Sequence, residues 1–403
     1  MAVLESLIKE NDKKIVLLVM DGVGDIPDRD GRTPLSSANK PNMDSLACQS
    51  ALGLTIPVDW GITPGSGPAH LSLFGYNPLK YNIGRGVLEA IGLDMEMKKQ
   101  DLAARGNFCT LDENGTVIDR RGGAGERRLS TEENKKLIEL LSSQIRRIED
   151  IELIFKSGLE HRFAVIFRGD GLAEGLPDTD PHTLGEKIHF LKTDNPRLEK
   201  TARVINLLTQ LANDILKNRK PANGILLRGF SCPPNIPPFQ ERFRLIPGAI
   251  ASYPMYRGLA SLVGMTLLPA GKDIESEFAS LEENWKRYNF FFIHIKKTDS
   301  YGEDGNFEKK CEVIEQTDRF IPRLLELSPD VLVITGDHST PVALKNHSWH
   351  PVPYLLYSPF VRWQKDTRFD EKHCLRGSLG IFPAEKSINL MLAHSLKLDK
   401  YGA

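Results

Sequence analysis

Three apolar runs constrain this chain more than any other feature: IVLLVM from Ile15 to Met20, FFFIHI from Phe290 to Ile295, and VLVIT from Val331 to Thr335. Runs of strand length that are apolar throughout read as strands buried on both faces, as in a sheet covered by helices. Each leads into side chains that carry chemistry. Asp21-Gly22 follows the first, Asp299 and Glu303 follow the second closely, and Asp337-His338 follows the third. In an open α/β sheet the site lies outside the carboxyl ends of the strands, so these three ends are expected to meet. Adjacent Asp and His there read first as ligands for a divalent metal ion. His347 and His350, in the loop NHSWHPVP, are a fourth source of donors. Taken singly, each has a plain structural explanation: Asp after a strand is common turn chemistry, and a lone His is more often a hydrogen-bonded structural residue. Together they supply enough oxygen and nitrogen donors for two ions.

A chain of 403 residues is long for one core, which implies a large domain plus a smaller one or an insertion. The formal net charge of −1 and the lack of a long basic run argue against a nucleic-acid surface, so anion binding must come from local Arg clusters. The start MAVLESLIKENDKK lacks the apolar core of a signal peptide, and no apolar stretch approaches the length of a membrane span. A cytoplasmic protein with neither membrane nor nucleic-acid partner is expected. Cys48, Cys109, Cys232, Cys311 and Cys374 are scattered and never form a CxxC pair, which fits neither a zinc finger nor a disulfide framework.

The first hundred residues read as βα architecture, with a helix around Ser36 to Ser50 and a glycine-rich turn at Thr63 to Gly67 leading into another. From Leu102 the character changes to short strands and an isolated helix, which Ser130 caps with Glu133 closing a capping box; Leu137, Leu141 and Ile145 share one face. LPDTDPH and its surroundings, Leu176 to Pro196, read as loop. A second amphipathic helix carries Val204, Leu208, Leu211 and Ile215 at helical spacing and leads to the strand ILLR. The expected fold is α/β: a discontinuous core, 1–101 and 206–403, interrupted by a smaller α/β domain, 102–205, that covers the substrate.

In TPGSGPAHLSLFGY, Ser66 stands between two glycines at a turn into a helix. Unpaired amides at a helix start hold anions, so a serine there can attack a phosphoryl group while the amides hold its oxygens. The simple alternative is an N-cap Ser with Pro68 in the first turn. Arg120 and Arg121, beside Asp119 in DRRGG, and Arg162, beside His161, are the preferred contacts for carboxylate or phosphate. Arg85, Arg228 and Arg257 are further candidates, assigned to the core.

MDGVGD, TPLSSANKPNMDSLA, PGSGPAHLSLFGY, IGRGVLEAIG, DRRGG, HRFAVIFRGDGL, DTDPH, ANGILLRG, DSYGEDG, TGDHSTP and NHSWHPVP occur in one order across nearly the whole chain. This resembles the archaeal-type cofactor-independent phosphoglycerate mutases of the alkaline phosphatase superfamily. The resemblance implies an alkaline-phosphatase-like core, independence from bisphosphoglycerate, and two divalent ions, with Mn²⁺ expected and Mg²⁺ or Zn²⁺ as alternatives. It implies a serine that takes the phosphoryl group from one hydroxyl of glycerate and returns it to the other, in glycolysis and gluconeogenesis. Carried over, Asp21, Ser66, Asp337 and His338 surround one ion, and Asp299, Glu303 and His347 the other.

This chain departs from the pattern near the site. Glu303 stands where DxxGHDG has histidine, His350 where HSGDPVP has aspartate, Arg257 where lysine is frequent, and Gly67-Pro68 where an acidic residue often follows the serine. A carboxylate at 303 favours harder, oxygen-preferring ions. Competing readings are a phosphotransferase on another small metabolite, such as a homoserine kinase-like protein, a phosphomonoesterase, and an inactive metal-binding regulator. No GxxxxGKS nucleotide loop accompanies the first.

Overall fold

The computed structural model describes residues 2–123 and 129–402. The described strands are β1 (Ile15–Met20), β2 (Ser50–Ile56), β3 (Leu102–Leu111), β4 (Val117–Asp119), β5 (Arg147–Ile148), β6 (Ile151–Ser157), β7 (Arg162–Arg168), β8 (Gly224–Ser231), β9 (Pro247–Ala251), β10 (Thr266–Leu267), β11 (Phe290–Ile295), β12 (Val331–Thr335), β13 (Val352–Tyr357) and β14 (Gly380–Pro383). They fall into two compact units, residues 1–82 with 236–403 and residues 83–235.

The larger unit is built on an eight-stranded sheet of order β10-β9-β11-β1-β12-β13-β2-β14. Its centre is parallel: β1 lies between β11 and β12, with Met20 opposite Ile295 and Val19 opposite Thr335. The three apolar runs are therefore adjacent strands, buried along their whole length, and their carboxyl ends stand side by side. Val16, Leu18 and Met20 pack with Phe291, Ile293, Leu332 and Ile334 in one core cluster. The expected helix from Ser36 to Ser50 is instead two short ones, Pro34–Ser37 and Pro41–Ala47, followed by β2 from Ser50. Pro41 lacks an amide hydrogen to continue the first helix and opens the second, where it is favoured.

The smaller unit has an antiparallel sheet of order β4-β3-β7-β6-β5, with β8 also on β3. Leu102, Ala104 and Phe108 of β3 point to a core shared with Leu137 and Leu141 of helix Thr131–Gln144 and with Val204 and Leu208 of helix Pro196–Leu216. Both amphipathic helices thus form as expected, the first with its Ser130–Glu133 capping box, although Leu211 is exposed. The expected boundaries, 102–205, are too narrow. β8 pairs along β3 from Ala103 to Cys109, and helix Arg85–Gly92 packs on the same strands, so both belong to this unit. Arg85 and Arg228, expected in the core domain, accordingly lie in the smaller unit. Gly86 is required at the helix contact, since a Cβ there would overlap the Ala103 carbonyl.

Helix Ile274–Asn284 of the larger unit buries Glu277, which is 3% exposed. Burial pushes its carboxyl up to about 8, with a hydrogen bond from Ser252 opposing. Between the ordinary carboxyl range and pH 8 the folded protein keeps a proton that the unfolded chain releases, so this residue lowers stability as pH rises through that window. Thermal melts of Glu277→Gln against the parent should show a stability gain that grows from about pH 4.5 to pH 8 and then levels off. A gain independent of pH would refute this account.

Candidate metal centre and nucleophile

The parallel register of β1, β11 and β12 delivers Asp21, Lys296 and Gly336 to the same edge of the sheet, with Asp337 and His338 one step beyond. Asp21, Asp299, Asp337 and His338 are each no more than 1% exposed. Two compact donor groups result: Asp21, Asp337 and His338, and Asp299, His338 and His347. Gly22 permits this convergence. It adopts φ +60°, and a Cβ there would collide with Thr340 Oγ1 and Asp299 Oδ1.

His338 Nε2 is 3.2 Å from Asp337 Oδ2 and 3.4 Å from Asp21 Oδ1. Asp21 Oδ1 and Asp337 Oδ2 are buried with no hydrogen-bond partner among the described residues. Buried carboxylate oxygens without donors are costly, and a cation satisfies them. The residues therefore fit a bound divalent ion.

The tautomers fit as well. The Thr340 hydroxyl donates to Asp299 Oδ1 at 2.7 Å, so its 3.0 Å contact with His338 Nδ1 is one in which the ring nitrogen donates. That leaves the lone pair on Nε2, facing the carboxylates. His347 Nδ1 donates to the Pro64 carbonyl at 2.9 Å, which turns its Nε2 toward Asp299 Oδ1 at 3.5 Å and Glu303 Oε1 at 3.9 Å. Since His338 has one available lone pair, it can serve only one ion. Glu303, with its side chain half-exposed at the rim, is the nearby acidic donor left to complete the Asp299–His347 group.

Ser66 is not a helix cap. Gly65 holds the cap position of helix Ser66–Leu73 and Ser66 is its first residue, with no side-chain capping bond. Its hydroxyl is 3.2 Å from His338 Nε2 instead. His70, one turn further on, approaches both the Ser66 carbonyl through Nδ1 at 2.9 Å and Asp337 Oδ2 at 3.2 Å. The structure thus gathers Asp21, Ser66, Asp299, Asp337, His338 and His347, with Glu303 at the edge. His350 faces elsewhere: its Nδ1 meets Ser348 Oγ, its carbonyl accepts from Ser339, and its ring stacks on Trp349.

Burial opposes ionisation of Asp21, yet the hydrogen bond and charge of His294, with Lys296 and His338, hold it well below the carboxylate range. Asp299 is also lowered against burial, chiefly by His347. Burial works against His347, but Asp299 raises it to about 9. Burial and the Asp299 charge raise Glu303.

Four contributors were absent from the sequence reading. Lys296 directly follows β11 and Thr340 follows His338 by two, so the strand-end argument covered both stretches without singling them out. His70 stands four residues after Ser66, on the same helical face, and spacing alone could have named it. His294 is inside an apolar strand, and only its contact with Asp21 at 3.2 Å reveals it.

The smaller unit holds a separate anion-binding candidate. Arg105 on β3 stands opposite Arg228 on β8, and Asn107 opposite Arg162 on β7. The charges of Arg85, Arg162 and Arg228 all reach Arg105, whose one paired carboxylate among the described residues is Glu89 at 3.6 Å. Arg120 has its donors engaged, Nε and Nη2 on Asp180 at 3.0 Å each and Nη1 on the His182 carbonyl. Arg228 also pairs with Asp180. Asp119 caps its own turn, accepting from the amides of Arg121 and Gly123. Arg121 and Arg162 are exposed, and Arg257 is half-buried in the larger unit on helix Pro254–Leu262.

Residues 47–223 match the family described as 2,3-bisphosphoglycerate-independent phosphoglycerate mutase. A relative from Thermosipho melanesiensis, named a probable 2,3-bisphosphoglycerate-independent phosphoglycerate mutase, is 53% identical over 401 residues, covering 100% of this chain and 98% of its own. One of the same name from Aquifex aeolicus is 52% identical over 411 residues, covering 100% of both. The chain belongs to this family of mutases. A solved cofactor-independent phosphoglycerate mutase from Thermoplasma acidophilum superposes with a TM-score of 0.78 at 30% identity, covering 95% of this chain and 100% of its own. Membership of the mutase family implies divalent metal ions and a small phosphorylated substrate. No described helix is long and apolar enough to cross a membrane.

Partners that orient a metal-ligating imidazole typically matter about 10- to 100-fold in ion affinity. Thr340→Val should weaken divalent-ion binding by about that factor while the fold is retained, read by calorimetric titration of chelator-treated protein. Unchanged affinity would remove Thr340 from the site.

Proposed function

We propose that this chain interconverts 2-phosphoglycerate and 3-phosphoglycerate through phosphorylated Ser66, with Asp21, Ser66, Asp337 and His338 holding one divalent ion and Asp299, Glu303 and His347 a second. The observation that carries the reading is the Ser66 hydroxyl held 3.2 Å from the lone-pair nitrogen of His338, beside carboxylate oxygens that lack a donor. Bound ions would lower the pKa of the serine hydroxyl and neutralise charge on the phosphoryl oxygens. Mn²⁺ suits an oxygen-rich set with two imidazoles, and a glycolytic role would place the protein in the cytoplasm.

Ser66 Oγ gives up its proton and forms a bond to phosphorus as the bond from phosphorus to the substrate oxygen breaks; that oxygen keeps the electron pair and takes up a proton. The other hydroxyl of glycerate then gives up its proton and attacks phosphorus as the bond from phosphorus to Ser66 Oγ breaks, and Oγ keeps the electron pair and takes up a proton, which regenerates Ser66. No water is consumed, so glycerate must be retained between the two transfers. We infer that arginines of the smaller unit form an anion site suited to a carboxylate or phosphate. Arg162 and Arg121 of the sequence reading and Arg105 from the fold are the better candidates, because Arg120 and Arg228 are both already paired with Asp180. Asp119 would act through its turn, and Arg257 is a separate candidate within the larger unit.

Phosphorus NMR of the Mn²⁺-loaded protein with 3-phosphoglycerate, without bisphosphoglycerate, should show 2-phosphoglycerate and no free phosphate. Release of phosphate would make it a phosphomonoesterase instead. Ser66→Ala should abolish the phosphoenzyme and the exchange; retained exchange would exclude Ser66 as nucleophile. Glu303→His should move ion preference toward Zn²⁺ or Co²⁺, measured by competition titration, and an unaltered profile would exclude Glu303 as a ligand.

A further inference from the structure

We propose that Lys296 is a built-in cation of the catalytic centre, which occupies carboxylate oxygens of both donor groups and gives them up when divalent ions enter. The proposal rests on the two-ion reading above. Lys296 is the residue between β11 and helix Lys297–Asp304, so its backbone is fixed by the strand that also brings in Asp299. Its ammonium is 3.1 Å from Asp21 Oδ2, 2.5 Å from Asp299 Oδ2 and 3.2 Å from the Tyr256 hydroxyl. Asp21 belongs to one donor group and Asp299 to the other. One side chain therefore spans the two groups through the carboxylates they most depend on.

An ammonium has three donors and no lone pair, so it cannot ligate an ion. Within a few ångströms of a dication it is repelled, more strongly in this buried setting than in water. Ions and ammonium thus compete for the same oxygens. From its position on the carboxylates the ammonium is also 5.6 Å from the centre of the Tyr253 ring and 5.5 Å from that of Tyr256, within cation–π range, and Tyr253 is partly open to solvent, so aromatic faces adjoin the ammonium on the way out. Lys296 has two consequences for the same site. Without ions it keeps the buried carboxylates from repelling one another, and with ions it sets a threshold that weakly bound cations do not cross.

The test is Lys296→Met in the full chain, which keeps the stem and removes the charge. Titration of chelator-treated protein with Mn²⁺ should give binding about tenfold tighter than the parent, within the usual range of coupling between sites. The metal-free variant should melt below the metal-free parent, and the rise in melting temperature on adding Mn²⁺ should be larger. A residue that only braces the fold would change affinity in the opposite direction, so weaker or equal Mn²⁺ binding would overturn the proposal. Should the variant fail to fold, reductive methylation of the parent protein gives a second reading: Lys296 should be labelled faster with Mn²⁺ than without, and equal rates would overturn it. A parent protein that takes up no Mn²⁺ at all would overturn the two-ion reading itself, and this proposal with it.

Discussion

Buried negative charge at the carboxyl end of a parallel sheet is the constraint on which the rest of this structure depends. Asp21, Asp299 and Asp337 are all withdrawn from water, and a buried carboxylate left uncompensated costs several kcal/mol. Compensation comes from His294 within β11, Lys296 just after it, and Thr340 from the loop after β12. Even so, Asp21 Oδ1 and Asp337 Oδ2 have no hydrogen-bond donor among the described residues. Bare carboxylate oxygens that converge with an imidazole lone pair are what a cation would satisfy.

The same constraint shapes Ser66 and its surroundings. A serine in the first turn of a helix ordinarily caps it, but here a glycine takes that position and the hydroxyl is left to meet His338. The Thr340 hydroxyl settles which nitrogen of His338 carries the hydrogen, and the Pro64 carbonyl does so for His347. Behind this layer, buried Lys310 donates to Asp25 and to the Thr340 carbonyl, tying the loop after β12 to the loop after β1. Hydrogen bonds with Thr340, Pro64 and Lys310 thus fix the side chains around the donor groups.

Much of the site was legible because its residues follow apolar strands directly. Asp21, Asp337 and His338 are one to three positions past a strand, and in a parallel sheet that position has one spatial meaning. Legibility failed where a role depends on packing. β8 and helix Arg85–Gly92 looked like core by sequence, since nothing local reveals that β8 pairs with β3 across more than one hundred intervening residues. Arg120 looked like a free fork, and only the fold brings Asp180 against it. Leu211 kept the helical spacing of its neighbours and still faces solvent, because the buried stripe of that helix is narrower than its apolar pattern.

The sequence by itself determined that this is an α/β protein with acidic and imidazole side chains at strand ends and a serine at a helix start, since strand burial and glycine-bounded turns are local properties. The ordered motifs likewise determined its family. Tertiary structure decided which of those donors stand together, which nitrogen of each imidazole is available, and which arginine forks are already engaged. Those are matters of a few ångströms between residues far apart in the chain, set by strand register and by which buried donors and acceptors find each other. Lys296 marks the boundary: its place after β11 was visible from the start, and its position astride both ligand groups exists only in the folded protein.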